Sequence, residues 1–392
     1  METLISILFF SVICLILART ILKTSYFSPL SIHLMQWIGV SLVGLIAYNS
    51  FFPLSQQSSI ALIIWWSVQL LIFTACECFG KNRQRDSRLN KKNAYCRRHW
   101  KILFLASALT VIEIYHVGRN GPYDFFLNLR LSQYLEGYSG PRFIFMNSFY
   151  PFAMASFLIN LIAQNSILNI ISATLFLALF AIGTVGKFAI ITPALCFLVI
   201  FDFKKKIKTS KLLLCFIFIL LAMLGLHALR SKNDLFEIAT MIGTYVYSPI
   251  VAFGQISPSD PYTSVGDNTF RIVNAVLFKL GLTENPPVLT ILDYVNVPTP
   301  TNVFSAMYPF YKDFSFYGIF LGSVFYGLVF SFFYVYARKG SFYALICYTC
   351  ISISLLTAFF AETLLTHISG HIKLILVTSI LWRWSITWKT IQ

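Results

Sequence analysis

One lysine–aspartate pair, Lys312-Asp313, interrupts a stretch of apolar and aromatic residues between Val297 and Ala337. About 24 apolar residues follow the pair, enough to cross a bilayer. Aromatic residues around it are typical of the belt at a membrane surface: Tyr308, Phe310, Tyr311, Phe314, Phe316 and Tyr317. Asp313 is therefore predicted at the mouth of a membrane helix, where it could act as a general base on a substrate hydroxyl. Alternatively, its charge only stabilises the N-terminus of that helix.

A second acid–base pair is formed by Glu113 and His116, with Arg119 further along the same predicted helix. Their spacing of i, i+3 and i+6 places the three residues roughly on one helical face. Glu113 and His116 are the alternative catalytic pair, although a structural histidine would give the same pattern. His367 and His371 are too few for a metal site, so neither a metal nor a cofactor is predicted.

The composition predicts the elements that must position these residues. The chain has 392 residues, of which 57% are hydrophobic and 11% charged, and its mean hydropathy is +0.72. Repeated apolar runs predict an all-α, polytopic transmembrane bundle of about eleven helices, forming one integral membrane domain over residues 1–392. The predicted helices cover residues 3–22, 30–51, 58–79, 102–117, 142–163, 166–182, 188–203, 212–229, 314–337, 341–361 and 371–388.

The net charge of +15 comes from lysines and arginines concentrated in alternate loops. The loop at residues 81–101 holds nine Lys and Arg and one acid, which predicts a cytoplasmic position for it. The N-terminus is then outside and the C-terminus inside. No nucleic-acid partner is predicted, because a binding face would be one basic cluster interleaved with aromatics. Membrane lipids are the expected surroundings.

An outer segment at residues 230–313 is longer than an ordinary connector, which favours a functional loop over a passive lid. Its apolar part at residues 238–256 is broken by glycine and proline. We expect a re-entrant or interfacial helix there. A short amphipathic helix is predicted in the outer loop at residues 123–135.

Three stretches resemble a known family, the O-antigen polymerases, which join oligosaccharide repeat units. They are NVFSAMYPFYKDFSFYGIFLGSVFYGLVFSFFY at 302–334, GTYVYSPIVAFGQI at 243–256 and GTVGKFAIITPALCFLVIF at 183–201. The family pattern has glycine where this chain has Ser315, and arginine where it has Lys187. Lysine cannot make the paired phosphate contact that arginine makes.

The resemblance implies a multi-pass glycosyltransferase of the bacterial inner membrane, similar to the all-helical type C enzymes, with its active site facing the periplasm. It would transfer a glycan from one undecaprenyl diphosphate to the repeat unit carried by another. The expected partners are the undecaprenyl-diphosphate-linked oligosaccharide and a chain-length regulator. An O-antigen ligase with a histidine base and a lipid-linked oligosaccharide flippase or transporter are the alternatives, although no internal repeat of a transporter is present.

A departing diphosphate needs cations, and arginine offers it two parallel donors. The residues predicted to bind the substrate lie on the predicted outer side, and the cations among them could instead snorkel or pair with an acid: Arg230, Arg271, Lys187, Arg142, Arg119, Lys312 and Tyr311.

Overall fold

A computed structural model describes residues 1–80, 99–135, 137–163, 166–204, 212, 214, 238–259, 266–289 and 292–387. Almost all regular structure in these residues is helical, as predicted. Most of the basic loop at 81–101, most of the predicted helix at 212–229, and Arg230 lie outside the described residues.

Fourteen helices follow one another in the described ranges. They are α1 Glu2–Thr20, α2 Pro29–Ile46, α3 Gln56–Gly80, α4 Trp100–Arg119, α5 Phe125–Tyr134, α6 Phe145–Ala163, α7 Ile167–Thr184, α8 Lys187–Lys204, α9 Ile238–Val246, α10 Ser248–Phe253, α11 Arg271–Lys279, α12 Tyr308–Arg338, α13 Phe342–Leu356 and α14 Ile368–Thr387. Two short antiparallel strands, β1 Val295–Asn296 and β2 Pro300–Thr301, precede α12.

Seven of the described helices are long and apolar enough to cross a membrane, namely α1, α2, α3, α4, α6, α7 and α12. The predicted spans at 188–203 and 341–361 correspond to α8 and α13. Lys187, Asp202 and Lys204 give α8 three charges, and α13 has only 15 residues. The chain is thus an all-α protein with membrane-spanning helices, and the count of about eleven stays a prediction.

The chain divides into two compact units. The first comprises Met1–Gln84, Phe236–Tyr336 and Ile351–Ser369, and the second Arg85–Leu235, Ala337–Cys350 and Gly370–Gln392. That residues 1–392 form a single membrane domain stays a prediction.

In the first unit, α1 and α2 pack against the segment at 238–256 that was predicted to form a re-entrant or interfacial helix. Every residue of α10, Ser248–Phe253, is buried. Tyr247 and Val251 share a core cluster with Leu4 of α1. Gly44 of α2 leaves room for the Tyr247 ring, because a Cβ atom there would lie 2.9 Å from it. The apolar part of the long segment is therefore built into the protein core around α10.

The second unit packs α4, α6 and α7 around buried amides. Asn169 of α7 donates to the Asn160 side chain at 3.1 Å and accepts from the Trp100 backbone N–H at 2.9 Å. Buried polar groups of this kind cost free energy unless they are paired. These hydrogen bonds fix the positions of α4, α6 and α7 along one another.

Candidate functional site

A break in α12 shapes the region around Asp313. Ser315 has φ 56° and ψ −144°, a backbone conformation that is strained for any residue except glycine. The break folds residues 308–314 against the helix that follows. A Cβ atom at Gly318 would overlap the Phe310 carbonyl oxygen, and one at Gly322 would lie 2.6 Å from the Phe310 ring. These glycines therefore accommodate the preceding turn of their own chain.

Asp313 is buried, and its carboxylate holds the residues that precede α11. The Thr269 backbone N–H donates to Oδ2 at 2.6 Å, and the Asn268 side-chain amide donates to Oδ1 at 2.7 Å. The Asn268 backbone N–H donates to Oδ2 at 3.1 Å. Thr269 Oγ1 in turn donates to the Pro309 carbonyl oxygen at 3.2 Å. Asp313 thereby fixes the start of α11 to the first turn of α12.

Lys312 binds another part of the long segment. Its Nζ donates to the Ser257 carbonyl oxygen at 2.9 Å, and its own carbonyl oxygen accepts from the Ser259 N–H at 2.7 Å. Tyr311 is buried, with its ring centroid 5.1 Å from that of Phe253. Residues 311–313 thus attach the long segment to the start of α12. The sequence did not predict this positioning role.

Arg271 is the first residue of α11, two residues beyond Thr269. Its Nε donates to the Val288 carbonyl oxygen. Asp267, one turn earlier, instead accepts from the Asn274 side chain at 2.8 Å. Within the described part of the chain, Arg271 makes no ion pair with a carboxylate. No carboxylate of the described residues therefore competes with an anion for its terminal N–H groups.

Glu362 was missed by sequence reasoning, although it is a lone acid in a turn between two predicted spans. It is buried and accepts from Tyr326 Oη at 2.7 Å. The backbone N–H groups of Leu365 and Thr366 also donate to it, at 2.7 and 2.8 Å. Glu362 thereby fixes the turn that ends at His367, in the same unit as Asp313 and Arg271.

His367 closes this turn, and both Glu362 and Arg271 act on it electrostatically. Loss of hydration against the protein lowers the pKa of His367, nearby Glu362 opposes that shift, and Arg271 adds to it. The pKa of His367 therefore lies below its usual value near 6.5. A neutral imidazole at pH 7 can accept a proton.

Other predicted residues lie in the second unit. Glu113 accepts from the backbone N–H groups of Ile144, Phe145 and Met146 at 2.7 to 2.9 Å, so it caps the start of α6. His116 Nδ1 is bonded to the Asn120 side chain at 2.9 Å. The structure thus commits Glu113 and His116 to different partners.

The predicted cations of this unit have local contacts. Arg119 donates to Tyr115 Oη at 2.6 Å, and Arg142 donates to the Leu135 carbonyl oxygen at 2.9 Å. Lys187 is the first residue of α8. Their role in binding a diphosphate stays a prediction.

The fold defines the class of this protein as a helical membrane protein. Comparison with protein-family models, curated proteins and solved structures finds no match. In the described ranges, no group of three His, Cys, Asp or Glu side chains could hold a metal ion.

Proposed function

We propose that this chain is a glycosyltransferase that polymerises undecaprenyl-diphosphate-linked oligosaccharide repeat units at the periplasmic face of the bacterial inner membrane. The bond from the sugar to the diphosphate of one lipid breaks as a hydroxyl of the repeat unit on another lipid attacks the same carbon. The polyprenyl diphosphate leaves, and no nucleotide sugar is consumed. The type C architecture and the chain-length regulator are parts of the same proposal.

The observation that carries the proposal is the link between Asp313 and Arg271. Asp313, in the first turns of a candidate span, fixes Asn268 and Thr269, and Arg271 follows without a carboxylate partner among the described residues. Guanidinium groups bind phosphate oxygens through paired donors. A lipid diphosphate has its charge next to its membrane-embedded tail, so a cation fixed beside a spanning helix is suited to it.

The conformation of Ser315 also supports the resemblance to the O-antigen polymerases. The family pattern has glycine at this position, and glycine adopts positive φ without strain. Here φ is 56°. The glycine of the pattern therefore falls at the position where this backbone is strained for a serine.

Two groups are candidates for the base that takes the hydroxyl proton. Asp313 is the predicted base, but its oxygens already accept from Asn268 and Thr269, so one of these bonds would have to open. His367 is exposed and makes no hydrogen bond within the described residues. A histidine base is what we expect of an O-antigen ligase, so His367 favours that reaction as the second candidate. The ligase has the same leaving group and a lipid A core acceptor.

The test is to incubate the purified protein in detergent with an undecaprenyl-diphosphate repeat unit, without nucleotide sugar or ATP. A polymerase gives a ladder of glycan lengths. Product only after lipid A core is added would instead identify a ligase. Movement of the lipid across vesicles without new bonds would identify a transporter.

Two substitutions in this assay test the role of Arg271. Arg271→Ala should abolish the ladder at unchanged protein level, and Arg271→Lys should restore only part of it because lysine lacks the paired donors. Arg130→Ala is the matched control, since Arg130 is an exposed arginine of α5. Long glycan from Arg271→Ala would remove Arg271 from the substrate site.

Asp313→Asn separates the two roles of that side chain. A base predicts loss of turnover with substrate binding kept. A purely positioning role predicts weaker substrate binding, because the amide NH₂ introduced by the substitution would face the N–H donors of Asn268 and Thr269. Full polymer length in this variant would exclude Asp313 from both roles.

A further inference from the structure

The nine-residue helix α11 turns its apolar side chains away from the protein. Ile272, Val273 and Val276 are 37%, 50% and 51% exposed, and Leu280, just after the helix, is 66% exposed. Positions i, i+1, i+4 and i+8 form one stripe along a helix. No residue of α11 is buried. A helix on a water-facing surface has the opposite arrangement, with its apolar stripe against the core.

The position of this stripe follows from the contacts that fix α11. The residues before the helix are bonded to Asp313, and the ring of Phe270 lies 6.5 Å from that of Phe314. Both contacts are in the first turns of α12, a candidate membrane span. The end of a spanning helix lies at the boundary between lipid and water. The stripe is therefore held at the level of that boundary.

Apolar exposure continues on α12. Tyr317 and Leu321, in the turns just after the break, are 82% and 59% exposed. On a spanning helix such side chains contact lipid. The helix whose first turns hold the residues before α11 therefore continues into a surface that suits a surrounding bilayer.

The charges of α11 fit the same environment. Arg271 and Lys279 stand at its two ends, and the helix has no acidic residue. Long cationic side chains at an interface extend towards lipid phosphates while their methylene groups cover apolar surface. Together with the apolar stripe, this is the pattern of a helix that lies in the plane of the interface.

We propose that α11 is a membrane-surface helix whose stripe of Ile272, Val273, Val276 and Leu280 inserts between the lipid headgroups of the surrounding bilayer. The proposal does not depend on the activity of the chain. It gives the long segment a second attachment, to lipid, in addition to the Asp313 bonds.

Photo-crosslinking of the full chain in phosphatidylcholine nanodiscs tests the proposal. A benzophenone amino acid replaces Val276 in one variant and Glu284, an exposed polar position in the loop after α11, in the control. We expect phospholipid adducts at position 276, identified by mass spectrometry, at least several-fold above those at 284. The added substitution Ile272→Asp should reduce the yield at 276.

Three outcomes would overturn the proposal. A crosslink to a second copy of the chain would make the stripe an oligomer interface. A crosslink to another segment of the same chain would make it a packing surface. A lipid yield at 276 no greater than at 284 would show that the stripe does not enter the bilayer.

Discussion

The carboxylates of Glu113, Asp313 and Glu362 all accept hydrogen bonds from backbone amides where a new segment begins. Asp313 and Glu362 are buried, and a buried carboxylate is costly unless donors surround it. The sequence identified Glu113 and Asp313 as acids in apolar surroundings. Their donors could not be predicted, because those of Asp313 come from residues 44 and 45 positions earlier in the chain. Catalytic and structural roles therefore look alike in the sequence.

Glu113→Gln should lower the free energy of unfolding by about 1 kcal/mol, the usual effect of losing a helix cap. The carboxylate accepts three N–H groups from α6 and the residue before it, and the glutamine amide would turn a donor towards some of them. Thermal unfolding in detergent measures the change. Glu284→Gln, at an exposed acid, is the control and should have no effect. An equal midpoint for both variants would contradict the capping role.

His367 gives the protein a specific dependence on pH. Because its pKa is lowered in the folded state, the unfolded chain binds more protons just below pH 6.5. Stability should therefore fall as the pH drops through this window, and should be insensitive to His367 above it. Glu362 and Arg271 are the charged groups that act on the ring.

His367→Gln isolates this dependence. The thermal midpoint of the natural protein should fall more between pH 7.5 and pH 5.5 than that of the variant. Arg271→Ala should reduce the difference, because it removes one cause of the lowered pKa. Parallel curves for the natural protein and His367→Gln would show that the histidine is equally basic in both states.

At the scale of elements, α12 shows what a hydropathy pattern can predict. The span was predicted at residues 314–337, and the helix runs from Tyr308 to Arg338. Its end was predicted to within one residue because Arg338-Lys339 closes the apolar run. The first turn of the helix was not predicted, because the break at Ser315 goes with the close packing of Phe310 against Gly318. Hydropathy contains no information about that packing.

Ser315→Gly should stabilise the protein by about 1 kcal/mol, since glycine relieves the strain of the positive φ at a smaller entropic cost. Ser323→Gly, in the regular part of α12, should destabilise it by a similar amount because glycine is a poor helix former. The thermal unfolding midpoints of the two variants, compared with that of the natural protein, show whether each substitution stabilises or destabilises it. A loss of stability in Ser315→Gly would mean that the serine hydroxyl contributes more than the strain costs.

At the scale of the whole molecule, bilayer thickness makes the spans predictable from sequence, but it does not determine the structure of the segments between them. The predicted spans at 3–22, 58–79 and 166–182 lie within a few residues of α1, α3 and α7. In the long segment, α10 and α11 have only six and nine residues, so their positions depend on contacts. The glycine and proline breaks at 238–256 predicted a re-entrant or interfacial helix there. In the structure α10 is buried in the protein, whereas α11, further along the same segment, has no buried residue.

The orientation of α12 decides whether the Asp313 region faces the periplasm. Arg338 and Lys339 follow the span, and cations at the end of a span are retained in the cytoplasm. A reporter enzyme that folds only after export should therefore be active when fused after Asn285 and inactive when fused after Lys339. The two fusions differ by one candidate span, so each controls for expression of the other. Removing both cations, as Arg338→Ala with Lys339→Ala, should reduce the difference in reporter activity between the two fusions. The reverse pattern of activity would place Asp313 and Arg271 on the cytoplasmic side, where a periplasmic polymerase could not use them.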